Sequence, residues 1–505
     1  MKNVKKLIAM MLVLVLCMSM LSACGSKEKE DTSSDTATTE EKTDDAAATD
    51  DASAETTEET TDETSALPAM TTEPIKLTYC SWENEVLTDY LVKKFEEKYP
   101  NITVETTYYG TDVYNDSLLN LVNAGQTPDA FWILGECDFA IQNELLGDMT
   151  QYWENDPENQ NILTTINDFK FGYYGTDKKY ATPVKYLPDA IFANMTVFDQ
   201  LNVEMPSTEW TWEEFIQSVK DMTVPEQGIY GYNDFRTIIT WYPVAADSDV
   251  CGEFGWDGTK FDMKNWADGL NLQAELRNGG FHAPLYDTDE AEAVFGDRTM
   301  WAAYSGKIAY QFDAWWTYNN LFSTQEYLDL GLRYVPYAIP QVEGNNSNHA
   351  IGTMDFGGIS SATEHPREAY ELLKFMNWGV DGWNAKLEAY KTLTNADGTK
   401  LSVDNLPITL DQSIWDGVRE FFPTGDDDRA PYFDAFFANC KEPIPYGGTT
   451  IPGFGTFIRD IYNDASSGFT VEDSVILNGV NAQDIQADLT EKANAANQEA
   501  MEYLK

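Results

Sequence analysis

The side chains that could do chemistry in this 505-residue chain are unevenly spread by type. His282, His349 and His365 are its only histidines, and none lies at ligand spacing from another or from a cysteine. A zinc site or a histidine-based triad therefore has almost nothing to be built from, and no metal or cofactor is expected. Cys80, Cys137, Cys251 and Cys440 are widely spaced with no C-x-x-C pair. In a chain this long they read as buried thiols, with two disulfides the alternative in an oxidising exterior. Asp426-Asp427-Asp428 lacks the spacing of a calcium loop and reads as a solvated turn. Gly453-Phe454-Gly455 lacks the third glycine of a dinucleotide fingerprint. What the chain has in quantity is flat aromatic surface, 14 Trp and 27 Tyr, some of it beside carboxylates where strands end. Trp82 and Glu83 follow the first strand, and Trp132 and Glu136 close the third. Such sets offer a stacking face next to hydrogen-bond acceptors.

Several segments must position these residues. Lys2, Lys5 and Lys6 precede a run from Leu7 to Met20 that is apolar except for Ser19. At about 14 residues it falls short of the ~20 that cross a bilayer and reads as a secretory signal over residues 1–23. Leu21-Ser22-Ala23-Cys24 resembles the bacterial lipoprotein box. That resemblance implies that Cys24 becomes the first mature residue and carries a diacylglycerol, whose two acyl chains anchor stably where one would be marginal. The alternative is a plain secreted protein with an incidental Cys24. Between Gly25 and Pro74 there are 16 acidic residues against 3 lysines, and almost no large apolar side chain before Leu67. Such a stretch cannot offset its chain entropy, so residues 24–74 are expected to form a disordered tether, which self-repulsion extends. The formal charge of −51 argues against nucleic acid and anionic lipid headgroups as partners.

Residues 75–505 carry the folded part. Ile75 to Cys80 alternates as a strand does, and Glu85 to Tyr99 places Val86, Tyr90, Leu91 and Phe95 at helical spacing before Pro100. Ile102 to Tyr108 reads as a second strand, Tyr114 to Ala124 as a helix and Ala130 to Leu134 as a buried strand. This βαβ series implies a parallel sheet with covered faces. Leu387 to Pro423 and Pro443 to Gly455 read only as helices and loops, and a last helix is expected over about Ala482 to Tyr503.

Cys80-Ser81-Trp82-Glu83-Asn84 stands before a helix ending Phe95-Glu96-Glu97-Lys98-Tyr99-Pro100-Asn101-Ile102. There follow in order Ala124-Gly125-Gln126-Thr127-Pro128-Asp129-Ala130-Phe131-Trp132, Tyr180-Ala181-Thr182-Pro183-Val184, Trp210-Thr211-Trp212-Glu213-Glu214-Phe215, Lys307-Ile308-Ala309-Tyr310 with Trp315, and His365-Pro366-Arg367-Glu368-Ala369. This order resembles that of extracellular solute-binding proteins of the carbohydrate class, the receptors of ABC importers, over roughly residues 75 to 380. The resemblance implies an α/β, periplasmic-binding-protein-like fold. It has two discontinuous α/β lobes joined by a hinge, with ligand in the cleft between them. Lobe 1 would comprise about 75–184 and 306–358, and lobe 2 about 185–305 and 359–505.

A sugar needs flat apolar side chains for its C–H faces and carboxylates, amides or cations for its hydroxyl rim. The resemblance then implies a cleft lined by Trp82, Glu83, Trp132 and Glu136, by Lys185 and Asp189 just after the crossover, by Asp313, Trp315 and Trp316, and by Asp355. Trp315 is the expected stacking platform. Trp316 is the alternative, because neighbours on an extended strand face opposite ways. Asp313-Ala314 stands where the family usually has a glycine before the tryptophan. Trp210 and Trp212, in a helix entry, read as packing and capping residues.

The function so implied is that of a monomeric, non-enzymatic lipoprotein on the outer face of the cell membrane, which hands a sugar or oligosaccharide to an ABC permease. One rival is a secreted glycosidase or lyase, which would need two carboxylates ~5–10 Å apart in a cleft. Another is the same fold binding a peptide or polyamine.

Overall fold

The computed structural model describes residues 67–503, apart from 136, 169–177, 235–237, 343–349, 447–449 and 467. The expected signal, Cys24, most of the expected tether and Glu136 lie outside the described residues.

Nine strands are described: β1 (Ile75–Ser81), β2 (Ile102–Tyr108), β3 (Ala130–Ile133), β4 (Thr182–Asn194), β5 (Tyr230–Asp234), β6 (Ile308–Ala314), β7 (Tyr334–Tyr337), β8 (Ile351–Ile359) and β9 (Ile444–Tyr446). Their order is β2-β1-β3-β8-β4-β6-β5, with β7 on β4 and β9 on β8. β1 pairs in parallel with β2 and β3, as the βαβ series requires. β8 runs antiparallel to both β3 and β4, and β4 antiparallel to β6, so the sheet is mixed. The named helices are α1 (Glu85–Lys98), α2 (Trp212–Asp221), α3 (Lys264–Asn278), α4 (Pro366–Asn377), α5 (Val380–Thr392), α6 (Ala430–Asn439), α7 (Val471–Ile476) and α8 (Ala482–Tyr503). No helix among the described residues is long and apolar enough to cross a membrane.

Two α/β lobes result, each discontinuous in sequence. In the first, α1 starts at Asn84, whose side chain accepts from Leu87 N at 3.1 Å. It buries Leu87, Leu91 and Phe95 against the sheet side, a contribution of about 1.5–3 kcal/mol for each side chain. α4 and α5 pack on the same lobe: Phe375 meets Phe95, Glu371 accepts from Tyr99 Oη at 2.8 Å, and Asp381 pairs with Lys98. In the second lobe, α2 is held by a reciprocal cap between Thr211 and Glu214. Trp210 and Trp212 are buried there, as packing residues.

β4 and β8 cross between the lobes. The thirteen residues of β4 are all buried; Thr182 to Asp189 pair with β8, and Ile191 to Asn194 with β6 and β7. At the crossing a Cβ on Gly357 would stand 2.7 Å from Val184 Cγ1 and 3.0 Å from Phe131 O, so only glycine lets β8 lie between β3 and β4. The lobe limits differ from those expected. β6 pairs with β4 and β5 and belongs to the second lobe, although 306–358 was expected in the first. β8 brings the chain back to β3 before α4 begins, so α4 and α5 belong to the first.

The tether's end also differs. Leu67 and Met70 pack against the core, Arg367 Nε donates to Pro68 O and Asn101 Nδ2 to Thr71 O, both at 2.9 Å. These contacts dock residues 67–74 on the first lobe. No disulfide links Cys80, Cys137, Cys251 or Cys440 among the described residues.

Candidate functional site

The β1–α1 loop sets the first side chains of the site. Tyr114 Oη donates to Cys80 O at 3.1 Å and to Trp132 O at 3.0 Å, tying the end of β1 to the end of β3. Against this strut the half-buried Trp82 is held edge-on by two rings, Trp132 at 4.9 Å and Tyr114 at 4.8 Å. Trp132 is itself 1% exposed and donates Nε1 to Asn377 Oδ1 at 3.1 Å, so it supports Trp82 from the core.

Glu83 is buried beside Trp82, and Lys185 reaches it from β4. The register between β4 and β8 slips between Pro183 and Lys185, which aligns Lys185 with the half-buried Asp355. Lys185 Nζ lies 3.4 Å from Glu83 Oε1, 2.6 Å from Asp404 Oδ2 and 5.5 Å from the centre of the Trp132 ring. Burial pushes the Lys185 ammonium down, but the carboxylates of Asp404, Glu83 and Asp355 outweigh it and hold the proton more tightly than usual. Trp82, Glu83, Trp132, Lys185 and Asp355 thus form one cluster at the crossing of the lobes. Glu136, which was expected to join them, lies outside the described residues.

Three residues that sequence reading missed complete this cluster: Lys386 and Tyr390 on α5, and Asp404 beyond it. Trp383, Lys386, Leu387 and Tyr390 fall at i, i+3, i+4 and i+7 on α5 and are all buried. A lysine within such an apolar stripe was the one available signal. Lys386 is 1% exposed; burial pushes its ammonium down to about 8, against the pull of Glu83 and Asp404.

The remaining expected residues sit on the β4 and β6 side. Asp189 is fully buried and accepts from Trp241 Nε1 and from Thr353 Oγ1, each at 3.1 Å. Asp313, opposite Ala190, is buried and accepts from Ala314 N at 2.8 Å and from Gln311 Nε2 at 3.4 Å. β6 stops at Ala314, and Trp315 opens a helical turn, so Trp315 and Trp316 do not alternate across a strand as was expected. Trp315 is 0% exposed. Its faces stack on Tyr318 at 5.2 Å and Phe436 of α6 at 5.3 Å, and Phe422 and Phe437 close the edges. The ring expected to meet a ligand is thus a core residue in this conformation, while Trp316 is half-buried.

Chemically the cluster offers an aromatic face at Trp82, carboxylates bridged by one ammonium, and no catalytic base or nucleophile pair that the geometry singles out. Among the described residues no group of His, Cys, Asp and Glu could hold a metal ion. A separate hollow of about 380 Å³, lined by Asn271, Ala274, Asn278, Val475 and Val480 among others, shares no residue with the cluster.

Known structures share this architecture. An ABC substrate-binding protein from Listeria monocytogenes in complex with cycloalternan is 18% identical, with a TM-score of 0.59 over 83% of this chain and 98% of that one. A sugar transporter from Rhizobium etli in an open conformation is 14% identical, with a TM-score of 0.63 over 83% and 99%. The sugar-binding protein MalE from Xanthomonas citri is 12% identical, with a TM-score of 0.61 over 84% and 98%. At these identities the likeness is one of fold. No curated protein matches the chain. The model of the family described as bacterial extracellular solute-binding protein matches residues 82–377, more than half of the sequence, and the chain belongs to that family.

Proposed function

We propose that this protein is a lipid-anchored receptor on the outer face of the cell membrane that binds a sugar or oligosaccharide and delivers it to an ABC permease. The observation that carries this reading is the placement of Trp82. It is half-buried, braced edge-on by Trp132 and Tyr114, and set beside Glu83 and Lys185 where β4 and β8 cross between the lobes. An indole so braced offers a pyranose a rigid apolar face at little entropic cost, and the neighbouring carboxylates accept from hydroxyls. Family membership supports a binding role rather than turnover. Several structural neighbours carry sugar ligands, among them cycloalternan, tagatose and maltotetraose. Cys24, within Leu21-Ser22-Ala23-Cys24, would hold the protein to the membrane, and the tether would let the monomer search nearby solvent for ligand. Calorimetric titration of the purified protein with a panel of neutral mono- and oligosaccharides, including tagatose and maltotetraose, tests the reading. Saturable binding without turnover is expected. Binding of peptides or polyamines in place of every sugar, or hydrolysis of the bound sugar, would overturn it.

A further inference from the structure

Building on the sugar-binding reading, we propose that Tyr390 and Asp404, with Glu83, form the polar floor of a ring subsite beside Trp82. This subsite takes a neutral sugar through adjacent hydroxyls. Neither Tyr390 nor Asp404 lies within the segment matched to the family, residues 82–377.

Three buried oxygens carry the inference. Glu83 Oε2, Asp404 Oδ1 and Tyr390 Oη have no hydrogen-bond partner, although their side chains are otherwise held in place. Each carboxylate spends one oxygen on Lys185, at 3.4 Å from Glu83 and 2.6 Å from Asp404, and keeps the second uncommitted. Burial, and after it the charges of Asp404 and Glu83, raise the proton affinity of the Tyr390 hydroxyl. Folded proteins hold few buried polar atoms without partners, and two of these three belong to carboxylates that share the Lys185 ammonium.

Their chemistry selects the occupant. Two carboxylate oxygens accept from two hydroxyl donors, and a phenol can donate or accept, the complement of a vicinal diol. A cationic ligand would meet Lys185 and Lys386, and an anionic one Glu83, Asp404 and Asp355. A neutral polyhydroxylated ring meets neither penalty.

The test uses the full chain and its Tyr390→Phe and Asp404→Asn variants. Maltotetraose and the other neutral sugars of the panel are the calorimetric probes, and melting is followed in parallel. Tyr390→Phe removes only an unpartnered hydroxyl, so its melting temperature should stay level or rise while affinity falls about tenfold, the effect of one hydrogen bond left unmade. Asp404→Asn should weaken binding further. A deoxy analogue of the bound sugar that lacks the contacted hydroxyl should bind the parent less well, yet lose nothing more on Tyr390→Phe. If Asp404→Asn does not fold, Tyr390→Phe decides alone. Unchanged affinity in Tyr390→Phe, or a loss of affinity matched by a loss of melting temperature, overturns the subsite and leaves the sugar reading standing. A parent that binds no sugar of the panel overturns the sugar reading and the subsite with it.

Discussion

Lys185 and Asp404 meet at 2.6 Å across 219 residues of sequence, joining the strand that crosses between the lobes to a segment beyond the α5 helix. Because Glu83 shares the same ammonium, this pair also fixes the loop that carries Trp82. The loop between β1 and α1, the crossing strand and the C-terminal third are thus fastened at one charged point.

That geometry predicts the behaviour of Lys185→Met. The substitution leaves Glu83 and Asp404 buried without their cation, and breaking a buried pair in this way costs about 3–5 kcal/mol. Urea unfolding should show that loss. A variant as stable as the parent would mean that water already solvates both carboxylates.

Much of the first lobe was legible because its signals are local. The limits of β1, α1 and β2 follow from alternation, helical spacing and Pro100, whereas the cap on α2, read at Trp210 and Trp212, is made by Thr211 and Glu214. The lobe boundaries were not legible, because they depend on β8 pairing with β3 and β4 at once, a choice no single segment encodes. Trp315 shows the same limit. Its position in sequence matched an expected cleft residue, but α6, more than a hundred positions later, brings Phe436 and Phe437 onto its ring. Asp404 and Tyr390 escaped notice because one acid in a loop and one tyrosine in a helix carry no motif.

Trp315→Ala should therefore act on stability. Emptying an aromatic site between Tyr318 and Phe436 costs about 3–5 kcal/mol, since that sealed cluster cannot collapse fully. Thermal and urea unfolding check it. A normally stable variant with greatly weakened sugar binding would return Trp315 to the cleft and contradict its burial here.

Trp82→Ala should act on binding. Covering on the order of 80–120 Å² of indole and sugar surface at about 25 cal/mol per Å² gives roughly 2–3 kcal/mol. At ~1.4 kcal/mol per tenfold, affinity should fall about 30- to 150-fold. Calorimetry with a sugar that binds the parent measures it, and equal affinity in parent and variant would remove Trp82 from the site.

Cys24→Ser tests the anchor. Without the thiol no thioether to lipid can form, so the variant should leave the membrane fraction or accumulate as uncleaved precursor. Normal processing together with detergent-dependent membrane association in the Ser variant would rule out Cys24 as the lipid site.

Lys386 gives the sharpest prediction, because its effect has a sign in pH. Burial lowers its ammonium from 10.5 to about 8 in the folded protein. Below pH 8 the lysine is charged in both states, and the folded state carries the whole cost of burying that charge, about 3 kcal/mol at roughly 1.4 kcal/mol per unit. Between pH 8 and 10.5 the folded protein releases the proton while the unfolded chain keeps it. The unfolded state then binds more protons, so stability rises with pH until the cost is gone. Lys386→Met removes the group and should be more stable than the parent by about 2–3 kcal/mol at pH 7, with the gap closing towards pH 10. Lys179, which burial likewise pushes down to about 7, is present in both proteins and cancels from the difference. Urea unfolding of parent and variant at pH 7, 8, 9 and 10 measures the gap. A constant gap across that range would mean that Lys386 does not titrate there, and a variant less stable at pH 7 would mean that its contacts with Asn377 and Trp383 outweigh the cost of its burial.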